Sequence, residues 1–320
     1  MQVINQSVFQ ITLPTPFSVG DTHVYLIKGD ILSLVDAGVK TKEAWEALKV
    51  QLAEIGYTPQ DIEQIILTHH HPDHTGLVEQ FPRVEHIVAQ EDVNIWLTKD
   101  EAYFQHYEQF FGSCFIKWGV PKSYHYYLDR LREPLALSGE GQLTKSLQEG
   151  DYLPGYEDWN VIDTKGHAQT HLSFFNEKQG LLIGGDHLLY HISPNPLLEA
   201  PYQHSLKRTK PLLQYRANVE KCLDLNIRQI LPGHGPVFSD IKTQILKQRS
   251  KQEKRAQKVL QIIEETKQTP FEICKKLFPK HYETQLDLTM SETIGQLDYL
   301  EDLGLVFSAE QNGVCYYEKV

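Results

Sequence analysis

Cysteine is scarce in this 320-residue chain: four residues, Cys114, Cys222, Cys274 and Cys315, scattered and without a C-x-x-C pair. That pattern counts against a disulfide framework and against a cysteine-only structural zinc site. Long apolar runs are missing too. No stretch reaches the roughly 18 residues that a membrane-spanning helix needs, so no membrane partner is expected. The segment Met1-Gln2-Val3-Ile4-Asn5-Gln6 has neither the charged head nor the apolar core of a secretory signal. These absences lead to the expectation of a cytoplasmic protein. Positive charge is also short, with 31 Lys+Arg against 42 Asp+Glu and a net charge of −11. The last 80 residues hold 12 of each sign, so residues 1–240 carry 19 and 30, the whole of the excess. An acidic surface repels phosphate backbones and gives no electrostatic drive toward nucleic acid.

What the chain has is histidine in one place. Residues 68–76 read Thr68-His69-His70-His71-Pro72-Asp73-His74-Thr75-Gly76. Two histidines at i and i+2 in an extended turn, here His69 and His71, can point at one metal ion. Asp73 and His74 just after them can point at a second ion close by. Nitrogen donors with one oxygen donor suit zinc, with iron, manganese or cobalt as alternatives. Upstream, Ile62-Glu63-Gln64-Ile65-Ile66-Leu67 reads as a short buried strand. The cluster therefore sits at a strand's C-terminal end, where side chains of layered α/β folds converge on a cleft. Residues 77–81 have the composition of a short helix.

A two-metal site needs more ligands than these four, and three later segments have the right form. Val161-Ile162-Asp163-Thr164 is strand-like and runs into Lys165-Gly166-His167. Gly180-Leu181-Leu182-Ile183-Gly184-Gly185-Asp186 is an apolar strand ending on an aspartate. Gln229-Ile230-Leu231-Pro232-Gly233-His234-Gly235 is another, ending on a histidine between glycines. In each, the candidate ligand follows an apolar strand, and a neighbouring glycine lets backbone approach closely. Each alone is ambiguous, since a lone Gly-His is more often a turn with a solvated histidine. One hypothesis explains all of them together.

On these residues the chain resembles the metallo-β-lactamase fold superfamily, whose signature is T-H-x-H-x-D-H followed by separate His, Asp and His ligands. The resemblance spans about residues 1–240 and includes a position at each of His69, His71, Asp73, His74, His167, Asp186 and His234. It implies that His69, His71 and His167 hold one divalent metal ion and that Asp73, His74 and His234 hold a second, with Asp186 bridging. Zinc is the expected metal, with iron or manganese as alternatives. It implies that Asp36, in Leu34-Val35-Asp36-Ala37-Gly38, supports the ligands from behind. The implied fold is an α/β four-layer αββα sandwich. The stretch Asp163 to His171 departs from the common T-P-G-H-T-P-G-H form at Lys165 and at Ala168-Gln169-Thr170. The ligand histidine is kept, so the departure bears on loop shape. His171 reads as a hydrogen-bonding structural histidine.

Residues 1–240 are thus expected to form the catalytic domain, with a helical insertion at about 93–150. In that insertion Tyr103, Tyr107, Phe110 and Phe111 fall on one helical face. They either pack the insertion down or line an apolar substrate pocket, and Tyr103 and Tyr107 are taken as candidate substrate contacts. In the loop 187–204, which begins directly after Asp186, Tyr190 and His191 are the other candidates. Some lactonases of the superfamily use a tyrosine a few residues after this aspartate, and a donor there could serve a developing oxyanion. Residues 241–320 are expected to be a small helical, winged-helix-like domain. It comprises a helix from about Thr243 to Lys267, segments at 271–278 and 291–303, and a hairpin around Asn312-Gly313. An appendage of this kind occurs in one branch of the superfamily. The helix that would read DNA carries four acids and no Lys or Arg over residues 290–302. DNA reading is rejected for it, leaving domain packing, homodimer contact or shaping of the cleft.

The expected activity is metal-dependent hydrolysis of a small ester, thioester or lactone, with Asp73 both ligating and orienting a hydroxide that bridges the two ions. The alternative is an endoribonuclease or phosphodiesterase. It is supported by the basic helix with Lys247, Arg249, Lys251, Lys254, Arg255 and Lys258 and opposed by the net charge.

Overall fold

Alternation of inward and outward side chains builds the frame in the computed structural model, which describes residues 1–203, 206–263 and 266–320. Seven strands form one sheet in the order β1 (Gln2–Val3), β2 (Val8–Leu13), β3 (Thr22–Ile27), β4 (Ser33–Val35), β5 (Gln64–Ile66), β6 (His86–Ala89), β7 (Lys145–Ser146). It is antiparallel through β4 and parallel from there on. A second sheet contains β8 (Tyr152–Leu153), β9 (Tyr156–Asp163), β10 (Leu172–Asn176), β11 (Leu181–Gly185) and β12 (Gln229–Pro232), with only β11 and β12 parallel.

Along β2 and β3 one set of side chains (Phe9, Ile11, Leu13, Val24, Leu26) packs with Leu48 and Leu52 of α1 (Lys42–Glu54) in one core. The alternate set (Val8, Tyr25, Ile27) packs with Val161, Phe174, Ile183 and Leu231 of the second sheet in another. Period-two alternation thus gives the first sheet two buried faces, one toward helix and one toward sheet. Helix α1 starts where Thr41 accepts the Ala44 N–H at its side chain.

The other helices are α2 (Pro72–Thr75), α3 (Val93–Leu97), α4 (Glu101–Lys117), α5 (Pro211–Asp224), α6 (Ile241–Ile263), α7 (Pro270–Leu277) and α8 (Leu286–Asp302). The hairpin is β13 (Val306–Gln311) with β14 (Val314–Lys319). Its turn residues Asn312 and Gly313 take φ of 53° and 80°, as a type I′ turn requires. Residues 78–80, expected within a short helix, form a single 3-10 turn. His204, at the end of the expected loop 187–204, and Glu264 and Glu265, within the expected helix 243–267, lie outside the described residues.

The chain divides into two compact units. The first takes in Met1–Asp100, Glu133–Pro194 and Asn218–Ile241, and the second Glu101–Arg132, Asn195–Ala217 and Lys242–Val320. The linear division drawn from sequence falls at residue 240. Residues 101–132 and 195–217 differ from it, grouping with the C-terminal residues. The reason is packing. Phe111, Phe115 and Trp118 join Val259, Ile263, Phe271, Leu277, Ile294 and Leu297 in one core, with Tyr107 and Phe110 packed against it. The aromatic face of α4 packs into that core with α6, α7 and α8.

Two buried carboxylates of the second unit are paired. Asp298, fully buried on α8, receives both terminal nitrogens of Arg208 at 2.6 Å. Glu292 accepts from Arg255 at 2.7 Å and from Gln296 at 2.9 Å.

Candidate metal centre

The C-terminal ends of β5, β11 and β12 and the β9–β10 loop deliver the candidate ligands to one end of the sandwich. After β5, residues 68–71 run on without regular structure, and Pro72 opens α2. His69 and His71 therefore project from extended chain, and Asp73 and His74 from the first helical turn. Asp186 follows β11 directly, and His234 follows β12 across Gly233. A Cβ on Gly233 would sit 2.2 Å from Asp186 Oδ1 and 2.9 Å from His74 Cε1. Only glycine leaves room for both side chains there.

Two donor trios share no residue, and a third, His69 with His74 and Asp186, links them. His69, His71 and His167 form one; Asp73, His74 and His234 form the other; within each trio the donor atoms lie within 4.8 Å of one another. His69 Nε2 is 2.9 Å from His71 Nδ1, and His167 Nε2 is 3.0 Å from the same atom. Thr68 Oγ1 lies 2.9 Å from His69 Nδ1 while its own hydrogen goes to Asp36. That puts the His69 proton on Nδ1 and turns a bare Nε2 lone pair toward the trio. Ring nitrogens this close must share a proton between them or hold a cation.

In the second trio His234 Nε2 is 3.1 Å and His74 Nε2 4.0 Å from Asp73 Oδ2. Asp186 faces both sets. Its Oδ1 is 3.6 Å from His74 Nε2, and its Oδ2 is 3.4 Å from His234 Nε2 and 3.5 Å from His167 Nε2. His74 Nε2 and Asp186 Oδ1 are buried and have no hydrogen-bond partner. Buried polar atoms without a partner are rare and costly, and both point inward at the place a cation would occupy. The donor set fits divalent metal.

Electrostatics divide the cluster. Burial, then His167, hold His71 down to about 3. Burial opposes charge on His234 as well, but Asp186 and Asp73 outweigh it and raise that ring to about 10. His74 is raised well above its ordinary value, burial being overcome by Asp36, Asp186 and Asp73. Asp186 is held well below the usual carboxylate range because His234 and His74 outweigh its burial. Without metal, protons stand in for the missing positive charge in the carboxylate-rich trio.

Supporting groups fix the rings. Asp36 Oδ2 accepts the Nδ1–H of His74 at 2.8 Å, and the same carboxylate accepts the Thr68 N–H and hydroxyl. Asp36 is 2 % exposed and holds φ at 62°, left-handed for a residue with a side chain. His171 Nδ1 pairs with Thr164 Oγ1 at 2.8 Å, and its Nε2 accepts the Asp186 N–H at 3.0 Å. His171 thus supports the Asp186 backbone. The middle histidine, His70, turns away from both trios. It stacks on Trp96 with ring centroids 3.9 Å apart, and its Nδ1 pairs with Thr170 Oγ1 at 2.9 Å. Sequence reading assigned it no role, and no pattern around Trp96 signals the stack.

The substrate candidates fall in both units. Tyr190 is half-buried and His191 exposed on the loop after Asp186, their rings 4.6 Å apart, with Tyr190 also against Phe238 at 5.5 Å. Tyr103 and Tyr107 belong to the second compact unit. There Tyr103 is buried, donates to the Ala200 carbonyl at 3.3 Å and stacks on Tyr202. Tyr107 packs against Phe111. Both contribute to packing within that unit.

The sequence pattern of the Metallo-beta-lactamase superfamily matches residues 18–234, which span every one of these donors. This chain belongs to that superfamily. A relative of the same length class, the probable metallo-hydrolase YqjP of Bacillus subtilis, is 39 % identical over 313 residues, covering 98 % of each chain. The metallo-beta-lactamase family protein TTHA1429 from Thermus thermophilus superposes with a TM-score of 0.82 at 26 % identity, covering 99 % of this chain and 100 % of that one. More distant are the N-acyl homoserine lactonase AttM of Agrobacterium fabrum and an atrochrysone carboxyl ACP thioesterase of Cryptosporiopsis. The first is 28 % identical over 126 residues (39 % of each chain), the second 20 % over 255 (79 % of this chain, 61 % of that one). Superfamily membership and the clustered histidines and aspartates make this chain a metal-dependent hydrolase. No helix among the described residues is long and apolar enough to cross a membrane.

Proposed function

We propose that this chain hydrolyses a small carbonyl ester, thioester or lactone at a pair of divalent metal ions. The observation that carries the reading is the Asp186 carboxylate, with one oxygen toward His74 and the other toward His234 and His167. His69, His71 and His167 would hold one ion, Asp73, His74 and His234 the other, with Asp186 shared between them. Nitrogen-rich ligands favour zinc, with iron or manganese as alternatives. When bound, such a pair supplies Lewis acidity and an activated water at neutral pH.

The chain's own residues do the rest. Asp36 and Thr68 fix the tautomers and angles of His74 and His69. Asp73, held below its ordinary value by His74 and His234 against its own burial, stays ionised and is the group that orients the attacking water. Tyr190 is the proposed donor to the oxyanion that develops on the substrate carbonyl, and His191 a contact at the rim. Support for an acyl substrate comes from the acidic balance of residues 1–240 and from the two distant relatives, one named for a lactone and one for an acyl thioester.

We read the C-terminal helices and hairpin as winged-helix-like, on the order α6, α7, α8, β13, β14. DNA reading by α8 is not proposed, since its Glu292 and Asp298 are buried and paired inward. The same pairing takes Arg255 from the basic face that favours RNA, leaving Lys247, Lys251, Lys254 and Lys258 exposed. Four separate free cysteines support a reducing, cytoplasmic setting. One screen of acyl lactones, acyl thioesters and single-stranded RNA with metal-loaded protein tests the reading. Turnover of an acyl substrate is expected; RNA cleavage with every acyl substrate inert would replace it with a phosphodiesterase.

A further inference from the structure

The loop that carries His234 is flanked by glycines, and the chain holds it from the opposite sheet. We propose that His23 is a positioning residue that clamps this loop and so fixes the Asp73–His74–His234 half of the site selectively. The inference rests on the two-metal reading above only for its metal readout.

His23 lies on β3, 7 % exposed, at a position facing the second sheet with Tyr25. Its backbone N–H donates to the Gly233 carbonyl at 2.7 Å, and its ring Nε2 is 2.7 Å from the Gly235 carbonyl. One residue therefore holds the peptide groups on both sides of His234. Because a carbonyl can only accept, Nε2 carries the ring proton. Nδ1 is then the acceptor for Thr12 Oγ1 at 3.1 Å, which anchors the ring to β2. Neighbours of His23 complete the lacing. Asp21 offers its carbonyl to His234 Nδ1 at 2.8 Å, and Tyr25 donates to the Pro232 carbonyl at 2.7 Å.

A Gly-His-Gly loop is costly to hold in one conformation, because each glycine gives up more backbone freedom than any other residue. Gly235 sits at φ 76°. Without the clamp, His234 Nε2 would sample positions away from Asp73 and Asp186. None of these contacts reaches His69, His71 or His167; His69 is oriented by Thr68 instead. Loosening the loop should therefore weaken one metal position and spare the other.

The test uses full-length protein stripped of metal and titrated with Co2+ against a chromophoric chelator, which reads each binding step and its absorption band without any activity. His23→Ala should weaken one of two binding steps by about tenfold or more, the range for groups that orient a ligand from behind, and leave the other unchanged. His23→Gln, which can donate to Gly235 and accept from Thr12, should restore it. Thr12→Val, which removes only the outer anchor, should give a smaller loss at the same step and serves if His23→Ala folds poorly. Equal weakening of both steps, or of neither, would overturn the proposal. A wild-type protein that binds a single ion would instead overturn the two-metal reading. His23 is then judged on the His234 Nδ1–H resonance of the metal-free protein. Loss of that resonance in His23→Ala and its return in His23→Gln sustain the clamp, and an unchanged resonance rejects it.

Discussion

The Nδ1–H of His74 and Oδ2 of Asp36 meet at 2.8 Å, and Asp36 also receives the Thr68 hydroxyl whose oxygen faces His69 Nδ1 at 2.9 Å. One carboxylate thus orients a histidine in each donor trio. Asp36→Ala should weaken metal binding about 10–100-fold, as removal of such supports does, and should do so at both binding steps. Chelator competition measures it. Loss confined to one step would mean that Thr68 orients His69 unaided.

Asp186 stands between the trios, so its loss should affect both. Asp186→Ala should retain less than one metal ion per chain, where the wild type is expected to hold close to two, as elemental analysis would read. Its denaturant midpoint in metal-free form should fall below that of the stripped wild type near neutral pH, since the charged His234 loses its main partner, while the fold survives with the N–H that His171 holds. Full hydrolysis by the variant would remove Asp186 from the bridging role.

Protons and metal compete for the same atoms, and the stripped protein should show it. His234, raised to about 10 from 6.5, contributes stability that is complete below 6.5 and is lost as pH climbs toward 10. His71, lowered from 6.5 to about 3, works the other way: its contribution is present above 6.5 and is lost as pH falls toward 3. Chemical denaturation of chelator-treated protein should therefore be hardest near neutrality. Metal loading should flatten the alkaline decline, because the ion replaces the proton on His234. A stripped protein equally stable from acid to alkali would contradict this electrostatic division.

Arg208 and Asp298 form the most enclosed ion pair described in the second unit, with Asp298 at 0 % exposure. Arg208→Met leaves that carboxylate buried without its partner and should cost about 3–5 kcal/mol. Adding Asp298→Leu should recover most of the loss. Urea midpoints of the single and double variants decide it; a cost below about 1 kcal/mol for the single change would mean that water reaches Asp298.

The metal cluster was legible because four of its donors are near neighbours in sequence and the other three each follow an apolar strand. Helix α1 was legible from Trp45, Leu48, Leu52 and Ile55 with Gly56 beyond, and the hairpin from Asn312-Gly313. Two-residue strands such as β1, β7 and β8 are too short to leave a period. The aromatic stripe on α4 showed that a face is buried but not against what. Its partners Val259, Phe271 and Leu297 lie some 140 to 190 residues further along the chain, and local spacing carries no record of such contacts. His23 was overlooked for a related reason. Two buried polar residues at the start of the apolar strand β3, Thr22 and His23, were the trace in sequence of a clamp whose other half lies more than 200 residues away.

Asp36 sets a limit on how far this protein can be made sturdier without losing its purpose. A left-handed backbone at a residue with a side chain costs of order 1 kcal/mol that glycine would avoid. Asp36→Gly should therefore relieve local strain in the metal-free protein, offsetting part of what the lost hydrogen bonds contributed, while leaving His74 and Thr68 without their common acceptor. A selection that scored only thermal survival of stripped protein would tolerate that change, and one that scored metal retention would reject it. Aspartate at this position marks which of the two the molecule has been shaped by.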